Sequence, residues 1–297
     1  MEKIIDLHIH TNLSDGALSS KEIIDESSKI GLKTISITDH DTIEAYDKEI
    51  IEYARNKGIN LIPGVEISTK INKCGIHVLG YNFDINNNEL IEKLSLLRNA
   101  RHDYLYNVSK KLNELGYDLN VQELDKIDAV TKAHISRDVV NNPKNKELLV
   151  KDFGYIPEMG EFIETIMNEG CKAYVKKQTI SPKEAAKLIR NAGGKVVLAH
   201  PVAYQNEDNL TEENIKEIIK DMKADGIESY YIYTNRDNKK VNDIEKWNKI
   251  AEELNLITTI GSDFHKYDGV HVKLGFIEEN ININKEKIEE ILENLNN

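Results

Sequence analysis

The sequence contains few cysteines and no long apolar segment. Its two cysteines, Cys74 and Cys171, form no CxxC motif and no paired framework, so a disulfide scaffold is not expected. No stretch approaches the roughly 18 consecutive apolar residues of a membrane helix. The first apolar run begins directly after Met1-Glu2-Lys3, which leaves no room for a signal peptide. We therefore expect a cytoplasmic protein in a reducing compartment, with no membrane partner.

Positive charge is also scarce. Lysine and arginine together number 39, against 51 aspartate and glutamate residues, and the formal net charge is −12. Long duplex nucleic acid is bound through a basic surface, so this class of partner is not expected. A small phosphorylated substrate remains compatible with the acidic chain, because bound metal ions add local positive charge.

The common motifs for a protein nucleophile or a nucleotide-binding glycine loop are absent. The sequence has no GxSxG, no GxxxxGK[ST] and no GxGxxG. Neither cysteine has flanking residues typical of a nucleophile. A hydrolase built on this chain is therefore expected to use metal-activated hydroxide.

Short apolar runs alternate with helical segments at both ends of the chain. This alternation predicts an α/β fold with a parallel sheet, and 297 residues suit one barrel-sized domain with an insertion or two small domains. Capping-box patterns at Ser19 with Glu22 and at Ser181 with Glu184 predict two helix starts. The apolar runs lie at 3–10, 34–39, 61–68, 76–83, 195–200, 227–233 and 257–263.

The middle of the chain, 87–176, has a helical pattern without a convincing strand. Apolar residues from Leu94 to Leu115 predict a long amphipathic helix that ends at Gly116. Two or three shorter helices are expected after it, separated near Pro143 and Pro157. We interpret 87–176 as a helical insertion that caps the substrate, and 1–86 with 177–297 as the barrel domain, which closes with a surface helix over 284–297.

Residues able to bind metal stand where the apolar runs stop. His8 and His10 are two residues apart on a predicted strand, so both side chains face one side and can reach one ion. Histidine with carboxylate suits zinc, manganese or iron. Ligands this numerous suit two or three ions that share carboxylates. The candidate ligands are His8, His10, Asp15, His40, Glu66, His77, His200, Asp263 and His265.

Three further aspartates lie beside these candidates. Asp6 shares the face of His8 and His10 but starts deeper in the strand, so we expect it to support a ligand. Asp39 is expected either to bind metal or to hold His40 through a hydrogen bond. Asp41 and the residue after it could cap the next helix.

Five motifs, in order along the chain, resemble those of the polymerase and histidinol phosphatase (PHP) superfamily. The motifs are Asp6-Leu7-His8-Ile9-His10-Thr11, Thr38-Asp39-His40-Asp41, Gly64-Val65-Glu66, Ala199-His200-Pro201 and Gly261-Ser262-Asp263-Phe264-His265. The resemblance implies a distorted seven-stranded (β/α)7 barrel with a trinuclear site for manganese, iron or zinc. It implies one ion at His8, His10, Glu66 and Asp263, a second at Glu66, His77 and His200, and a third at Asp15, His40 and His265.

The insertion resembles the branch that hydrolyses nucleoside 3′,5′-bisphosphates and trims short RNA from the 5′ end. The likeness lies in Lys132-Ala133-His134-Ile135-Ser136-Arg137, and it implies catalytic and substrate-binding roles for His134 and Arg137. These two residues are one helical turn apart, so both can face one anion. The chain has Lys132-Ala133 where the branch tends to have Arg-Pro, and this leaves the substrate open.

Arginine, which grips phosphate in a bidentate manner, occurs six times against 33 lysines. Arg98 and Arg101 are further substrate-binding candidates, although their spacing also fits surface residues; Tyr204 and Arg236 are additional ones. The leading hypothesis is a phosphatase of small nucleotides. The alternatives are a 5′-3′ exoribonuclease on short oligonucleotides, a histidinol-phosphate phosphatase, and a metal-stabilised scaffold without enzymatic activity.

Overall fold

The computed structural model describes residues 5–72, 74–125, 127, 130–176, 178–235, 238–267, 272–275 and 283–296. Arg236 lies outside this part of the chain. The strands are β1 (Ile5–Ile9), β2 (Thr34–Ile37), β3 (Asn60–Leu61), β4 (Gly64–Ile71), β5 (Cys74–Tyr81), β6 (Lys195–Leu198), β7 (Gly226–Tyr230), β8 (Tyr233–Thr234), β9 (Lys240–Val241) and β10 (Ile257–Ile260). Each of the seven predicted apolar runs contains or overlaps one strand of at least four residues.

Twelve α-helices lie within the described residues: α1 (Ser20–Lys29), α2 (Lys48–Asn56), α3 (Asn88–Glu114), α4 (Val121–Leu124), α5 (Lys132–Asn141), α6 (Lys146–Phe153), α7 (Met159–Phe162), α8 (Pro182–Asn191), α9 (Pro201–Glu207), α10 (Glu212–Met222), α11 (Ile244–Leu254) and α12 (Lys285–Asn296). A 3-10 turn covers Pro143–Asn145, and a π-helical turn covers Ile163–Met167. In the described part of the chain, no helix is both long enough and apolar enough to cross a membrane.

The strands form a mixed α/β architecture. One sheet has the order β1-β2-β3 and a second the order β10-β7-β6-β5-β4, while β8 and β9 form a separate pair. The expectation of a parallel sheet is wrong for β5, which runs antiparallel to both β4 and β6. The reason is that only two residues separate β4 from β5, and a connection this short can join only antiparallel neighbours. The run predicted at 61–68 is interrupted at Pro63, which has no backbone N–H to donate.

Backbone contacts also link the two larger sheets on both sides. The His10 N–H donates to the Phe264 carbonyl oxygen at 2.9 Å, just beyond the ends of β1 and β10. The Asp41 N–H donates to the Glu66 carbonyl oxygen at 2.9 Å, which connects the segment after β2 to β4. These contacts bring together the strand ends that carry the candidate ligands.

The predicted helix starts are confirmed by the hydrogen bonds at their caps. The Ser19 and Ser181 side chains accept from the backbone of Glu22 and Glu184, and each glutamate accepts in return from its serine N–H. Both caps fix where a helix leaves a loop next to the sheet. The predicted final helix is present as α12, although it is only partly a surface helix, since it buries Ile288, Ile291 and Leu295.

The chain divides into two compact units, 1–94 with 179–297, and 95–178. The second unit has its own apolar core, which includes Leu105, Tyr117, Val139, Phe162 and Met167. Helix α3 begins in the first unit and continues into the second, and it is followed by Gly116 with φ +94° as predicted. Apart from α3, the described residues of the second unit hold four α-helices and two shorter helical turns, more than the two or three short helices expected.

Candidate metal centre

Strand β1 places its two histidines on one face, as the spacing predicts. Both His8 and His10 are fully buried, and their Nε2 atoms lie 3.1 Å apart. Every residue of β1 is buried, so apolar neighbours fix the strand and, through it, the direction of both rings. Two imidazole nitrogens this close, each facing the same carboxylates, are arranged as ligands of one site.

Glu66 is the hub of the cluster. Its side chain is 1% exposed, and its two carboxylate oxygens approach five histidine rings. Oε2 lies 3.4 Å from His8 Nε2, 3.3 Å from His10 Nε2 and 3.1 Å from His40 Nδ1, while Oε1 lies 2.9 Å from His77 Nδ1 and 3.1 Å from His200 Nε2. A carboxylate with rings on both oxygens has the geometry of a bridge between neighbouring cations.

Asp263 approaches the same two histidines from the loop after β10. Its Oδ1 lies 3.3 Å from His8 Nε2 and 3.1 Å from His10 Nε2, and its Oδ2 accepts a hydrogen bond from the Tyr231 hydroxyl at 3.2 Å. Asp263 has φ +53° and His200 has φ +22°. Residues other than glycine rarely adopt this left-handed region, and they concentrate at functional sites when they do.

A second carboxylate, Asp15, gathers three more ring nitrogens. Its Oδ1 lies 3.4 Å from His10 Nδ1 and 3.4 Å from His265 Nε2, and its Oδ2 lies 3.6 Å from His40 Nε2. The rings of His10 and His265 stack with centroids 4.3 Å apart. The loop after β1 thus meets the loop after β10.

The structure brings all nine candidate ligands into one cluster. Seven of them form three overlapping groups whose donor atoms lie within 4.8 Å of one another, while Asp263 contacts His8 and His10 and His200 contacts Glu66. The groups are His8, His10 and Glu66; His10, Asp15, His40 and His265; and His40, Glu66 and His77. The first group is the first ligand set implied by the PHP resemblance without Asp263, and the second group is the implied set of Asp15, His40 and His265 with His10 added. The third contains His40 where the resemblance implies His200, although His200 also contacts Glu66.

The expectation that every ligand stands where an apolar run stops is wrong for Glu66, which lies inside β4, and for His77. This residue lies in the interior of β5, and its neighbour across the ladder is Ser68 of β4. Because β5 is antiparallel, its middle reaches the same edge that the other strands reach with their ends. The chain therefore completes the cluster with a strand of opposite direction.

The donor set fits divalent metal ions. Imidazole nitrogens combined with carboxylate oxygens are the ligands that zinc, manganese and iron share. Among the described residues, His200 Nδ1 is buried without a hydrogen-bond partner, although buried polar atoms are normally paired. Rings that converge on three shared carboxylates and leave a buried nitrogen unpaired are typical of a metal site.

The cluster shifts the pKa values of its members in opposite directions. Burial alone would lower the pKa of His10, but hydrogen bonds with Asp263 and Glu66 outweigh it and raise the pKa to about 10. Burial lowers the pKa of His40 to about 3. Burial would raise the pKa of Glu66, yet its histidine neighbours, His77 above all, hold it well below its usual range. The metal-free cluster therefore has ionised Glu66 paired with protonated His10.

Asp6 and Asp39 hold the loops of the cluster. Asp6 accepts hydrogen bonds from Ser262 N at 2.9 Å, Ser262 Oγ at 2.6 Å and Gly275 N at 2.8 Å, so it supports the Asp263 loop, as expected. Asp39 accepts from Thr11 N at 2.7 Å. Its expected hydrogen bond to His40 is wrong: within the described residues its bonds go to the loop that follows β1.

The alternative that Asp41 caps a helix is also wrong. Its Oδ1 accepts from Ser68 N at 2.9 Å, and the cap of α2 is Asp47. Asp41 has φ +54°, which turns the chain back toward β4 before any helix begins. The residue therefore links the segment after β2 to β4.

Glu228, on β7, is a site residue that the sequence analysis missed. Its Oε1 and Oε2 lie 3.0 and 3.1 Å from His8 Nδ1, and its Oε2 accepts from His200 N at 2.9 Å. The signal that could have found it is a single glutamate within a predicted buried strand, since a carboxylate is rarely buried without a partner.

The substrate-binding candidates of the insertion all lie in the 95–178 unit. His134 and Arg137 line one cleft of about 800 Å³ together with Asp138 and Lys144. His134 also closes the cap of α5, because its Nδ1 accepts from Thr131 N at 3.2 Å. The surface alternative is wrong for Arg101, which is only 5% exposed, whereas Arg98 is half-buried.

Tyr204, an additional substrate-binding candidate, is buried and makes a contact within the fold. Its ring is buried at 4% exposure, and its hydroxyl accepts a hydrogen bond from His77 N at 2.9 Å. This bond ties α9 to β5 beside the cluster. Tyr204 therefore supports the backbone of a candidate ligand.

A mixed α/β fold whose strand ends converge on histidines and carboxylates defines the class of metal-dependent hydrolases. Comparison with known families gives the particular one: the PHP domain family matches residues 6–295, and the chain belongs to it. A solved structure of a proposed metal-dependent phosphoesterase from Bifidobacterium adolescentis superposes with a TM-score of 0.68 at 24% identity, over 98% of this chain and 96% of that one. This likeness supports the fold.

Two curated relatives cover most of the chain. A 5′-3′ exoribonuclease of Haemophilus influenzae is 32% identical over 89% of this chain and 91% of its own length. A 3′,5′-nucleoside bisphosphate phosphatase of Chromobacterium violaceum is 27% identical over 88% of this chain and 87% of its own. The protein is a phosphoric ester hydrolase, and a scaffold without enzymatic activity is not supported.

Proposed function

We propose that this protein hydrolyses a small nucleotide phosphate, a nucleoside 3′,5′-bisphosphate, at a centre of two to three divalent metal ions. The observation that carries the proposal is the convergence of six histidines and three carboxylates, with Glu66 at the centre, in one cluster. Every position that the family resemblance marks as a ligand holds a residue able to bind metal. A complete ligand set on a buried scaffold is what an active enzyme of this family requires.

The ligand roles proposed for the chain follow the geometry of the cluster. His8, His10, Glu66 and Asp263 hold one ion, Glu66 with His77 and His200 a second, and Asp15 with His40 and His265 a third. Bound divalent ions supply polarisation of a phosphoryl oxygen and activation of water for attack. The ionised carboxylates offset the positive charge of the ions, and His40 is neutral at ordinary pH and offers its lone pair without first losing a proton.

We propose that the substrate phosphates contact His134 and Arg137, with Arg98 and Arg101 as further contacts. Arginine presents two parallel N–H donors to a phosphate. His134 would donate a proton to the leaving oxygen as the P–O bond breaks. The proposal is supported by the cleft that His134 and Arg137 share and by the acidic net charge, which favours short substrates over long ones.

A second activity, 5′-3′ exoribonuclease cleavage of short RNA, is favoured by the Haemophilus influenzae relative. The same ligands and the same attack on phosphorus would serve both reactions. The two reactions differ in the part of the substrate that lies beyond the reacting phosphate: a single nucleoside in the first, and an RNA strand in the second. Histidinol phosphate is a weaker alternative, because the insertion with His134 and Arg137 resembles the nucleotide branch.

The test is a panel of substrates with protein loaded with manganese. We expect phosphate release from a nucleoside 3′,5′-bisphosphate to exceed release from AMP and from histidinol phosphate by at least about tenfold, which corresponds to about 1.4 kcal/mol of selective binding. A labelled short RNA separates the second activity, because an exonuclease produces a ladder of products. A ladder without release from the bisphosphate would replace the first activity with the second.

The role of Arg137 has its own test. We expect Arg137→Ala to raise KM for the bisphosphate by about tenfold or more, since a hydrogen bond to a charged group contributes about 1.5–3 kcal/mol. Steady-state kinetics measures the change, and Arg55→Ala on exposed α2 is the matched control. An unchanged KM would remove Arg137 from the substrate contacts.

We also propose that the strands close into the distorted (β/α)7 barrel that the family resemblance implies. The seven strands of this barrel would be β1, β2, β4, β5, β6, β7 and β10. The support lies in the backbone hydrogen bonds from His10 to Phe264 and from Asp41 to Glu66, which join the two larger sheets at both open edges. A crystal structure with continuous ladders at these two places is the direct test.

A further inference from the structure

Glu228 is a buried carboxylate with two partners that belong to the candidate metal centre. Its side chain is 1% exposed. Both of its oxygens lie within 3.1 Å of His8 Nδ1, and Oε2 also accepts from the backbone N–H of His200 at 2.9 Å. A carboxylate withdrawn from water is unfavourable unless its oxygens are paired, and these contacts pair both.

The contact with His8 determines which ring nitrogen faces the cluster. An ionised carboxylate only accepts hydrogen bonds, so a His8 ring with one proton keeps it on Nδ1, and the lone pair of Nε2 then points toward Glu66 and Asp263, 3.4 and 3.3 Å away. A histidine ligand commonly donates its other N–H to a carboxylate in this way, and the bond fixes both the tautomer and the ring orientation.

The contact with His200 acts on the backbone. His200 has φ +22°, a conformation rarely adopted by residues other than glycine. The hydrogen bond from its N–H to Glu228 holds the turn between β6 and α9 in this conformation. Strand β7, which carries Glu228, pairs with β6 in parallel, with Ile227 opposite Leu198, so one side chain reaches ligands on two other elements.

The surroundings leave room for this carboxylate only because residue 261 is glycine. A Cβ atom at Gly261 would lie 2.2 Å from His8 Cβ and 2.4 Å from Glu228 Oε1. Such contacts are far shorter than any real packing distance. The loop after β10 therefore packs directly against both His8 and Glu228 at Gly261.

We propose that Glu228 is a positioning residue of the metal centre: it orients His8 through Nδ1 and fixes the His200 backbone, so that both rings converge on Glu66. The inference rests on the proposed metal centre and deepens it. It assigns to Glu228 no contact with metal or substrate. Its effect is expected on metal retention.

The test compares Glu228→Gln with Glu217→Gln, which removes the same charge at an exposed position of α10. Glutamine keeps the volume of the side chain but offers one acceptor oxygen to two donors. The full-length proteins are loaded with manganese, and release of the ion to a chromogenic chelator of known affinity gives the dissociation constant. We expect Glu228→Gln to bind manganese about ten- to a hundredfold more weakly, and Glu217→Gln to match the unchanged protein.

Further measurements separate positioning from a purely structural role. With positioning, excess manganese restores most of the phosphatase activity of Glu228→Gln, and the half-saturating manganese concentration rises by the same factor as the dissociation constant. Manganese affinity equal to that of the unchanged protein overturns the proposal, even if the melting temperature falls. Glu228→Asp, which keeps the charge on a shorter side chain, should be intermediate; it decides the question in the same way if the glutamine variant does not fold.

The binding assay does not depend on which phosphoester is hydrolysed. A protein that retains manganese but leaves the nucleoside bisphosphate intact contradicts the proposed substrate and leaves the role of Glu228 supported by its own variants. A protein that retains no metal under any loading condition overturns the metal centre and the role of Glu228 together.

Discussion

Glu66→Gln is expected to lower phosphatase activity by at least about a hundredfold, since even a residue that only supports a metal ligand contributes about ten- to a hundredfold. The reason lies in the five ring nitrogens within 3.4 Å of the Glu66 carboxylate. An amide has one acceptor oxygen and no charge, so it cannot bridge cations held by these rings. Elemental analysis of the purified variant should show fewer ions per chain.

The matched control is Glu52→Gln, which removes the same charge on the exposed side of α2. We expect it to retain the metal content and the activity of the unchanged protein. Circular dichroism of both variants checks that the fold is present. A folded Glu66→Gln variant with full metal content and full activity would refute the proposed bridging role.

Removal of metal is the second change with a large expected effect. Treatment with a chelator should abolish activity and lower the melting temperature, because ions that bind only the folded chain stabilise it. One site occupied at a hundred times its Kd contributes about 2.7 kcal/mol, and each kcal/mol shifts Tm by about 2–4 °C in a large domain. We therefore expect a fall of about 5 °C or more in differential scanning calorimetry, reversed by manganese, iron or zinc.

The pH dependence of metal binding follows from the pKa of His10, which the metal-free cluster raises to about 10. The ring must lose its proton to bind an ion, so binding near neutral pH should release protons and should weaken as the pH falls. Titration calorimetry in two buffers with different ionisation enthalpies counts the protons. Without metal, the stability contributed by protonated His10 is fully present below about pH 6.5, the pKa in the unfolded chain, and is lost as the pH rises through 10.

Two results would contradict the role of metal. Activity that survives exhaustive chelation would show that the reaction does not need the centre. Metal binding without proton release near neutral pH would show that His10 is not a ligand, since its neighbours Glu66 and Asp263 keep the ring protonated in the metal-free protein. Colorimetric phosphate release and the same calorimeter supply both measurements.

Local sequence signals determined the positions of the individual elements. The spacing of His8 and His10 predicts a shared face because side chains of a strand alternate, and their Nε2 atoms lie 3.1 Å apart. The serines at 19 and 181 predict helix starts because their hydroxyls satisfy free backbone N–H groups. Each of these inferences uses neighbours within a few residues, so no tertiary contact was needed.

The family motifs predicted contacts between residues that are distant in sequence, which local patterns could not. They implied that nine residues between His8 and His265 form one site, and the structure brings all nine together. Periodicity alone could not do this, because residues that meet in space, such as His8 and His265, are separated by more than 250 residues of chain. The order of motifs along the sequence carried the information that the pattern of any single segment lacks.

The tertiary structure decided the contacts that depend on strand direction and on distant partners. The antiparallel course of β5 brings the interior residue His77 to the cluster. The sequence could not predict this direction, because a run of apolar residues is compatible with a parallel or an antiparallel strand. Burial of Arg101 and pairing of Glu228 with His8 depend on which surfaces meet. A sequence determines the propensity of each segment, whereas the partner of a buried charge is fixed only when the chain has packed around it.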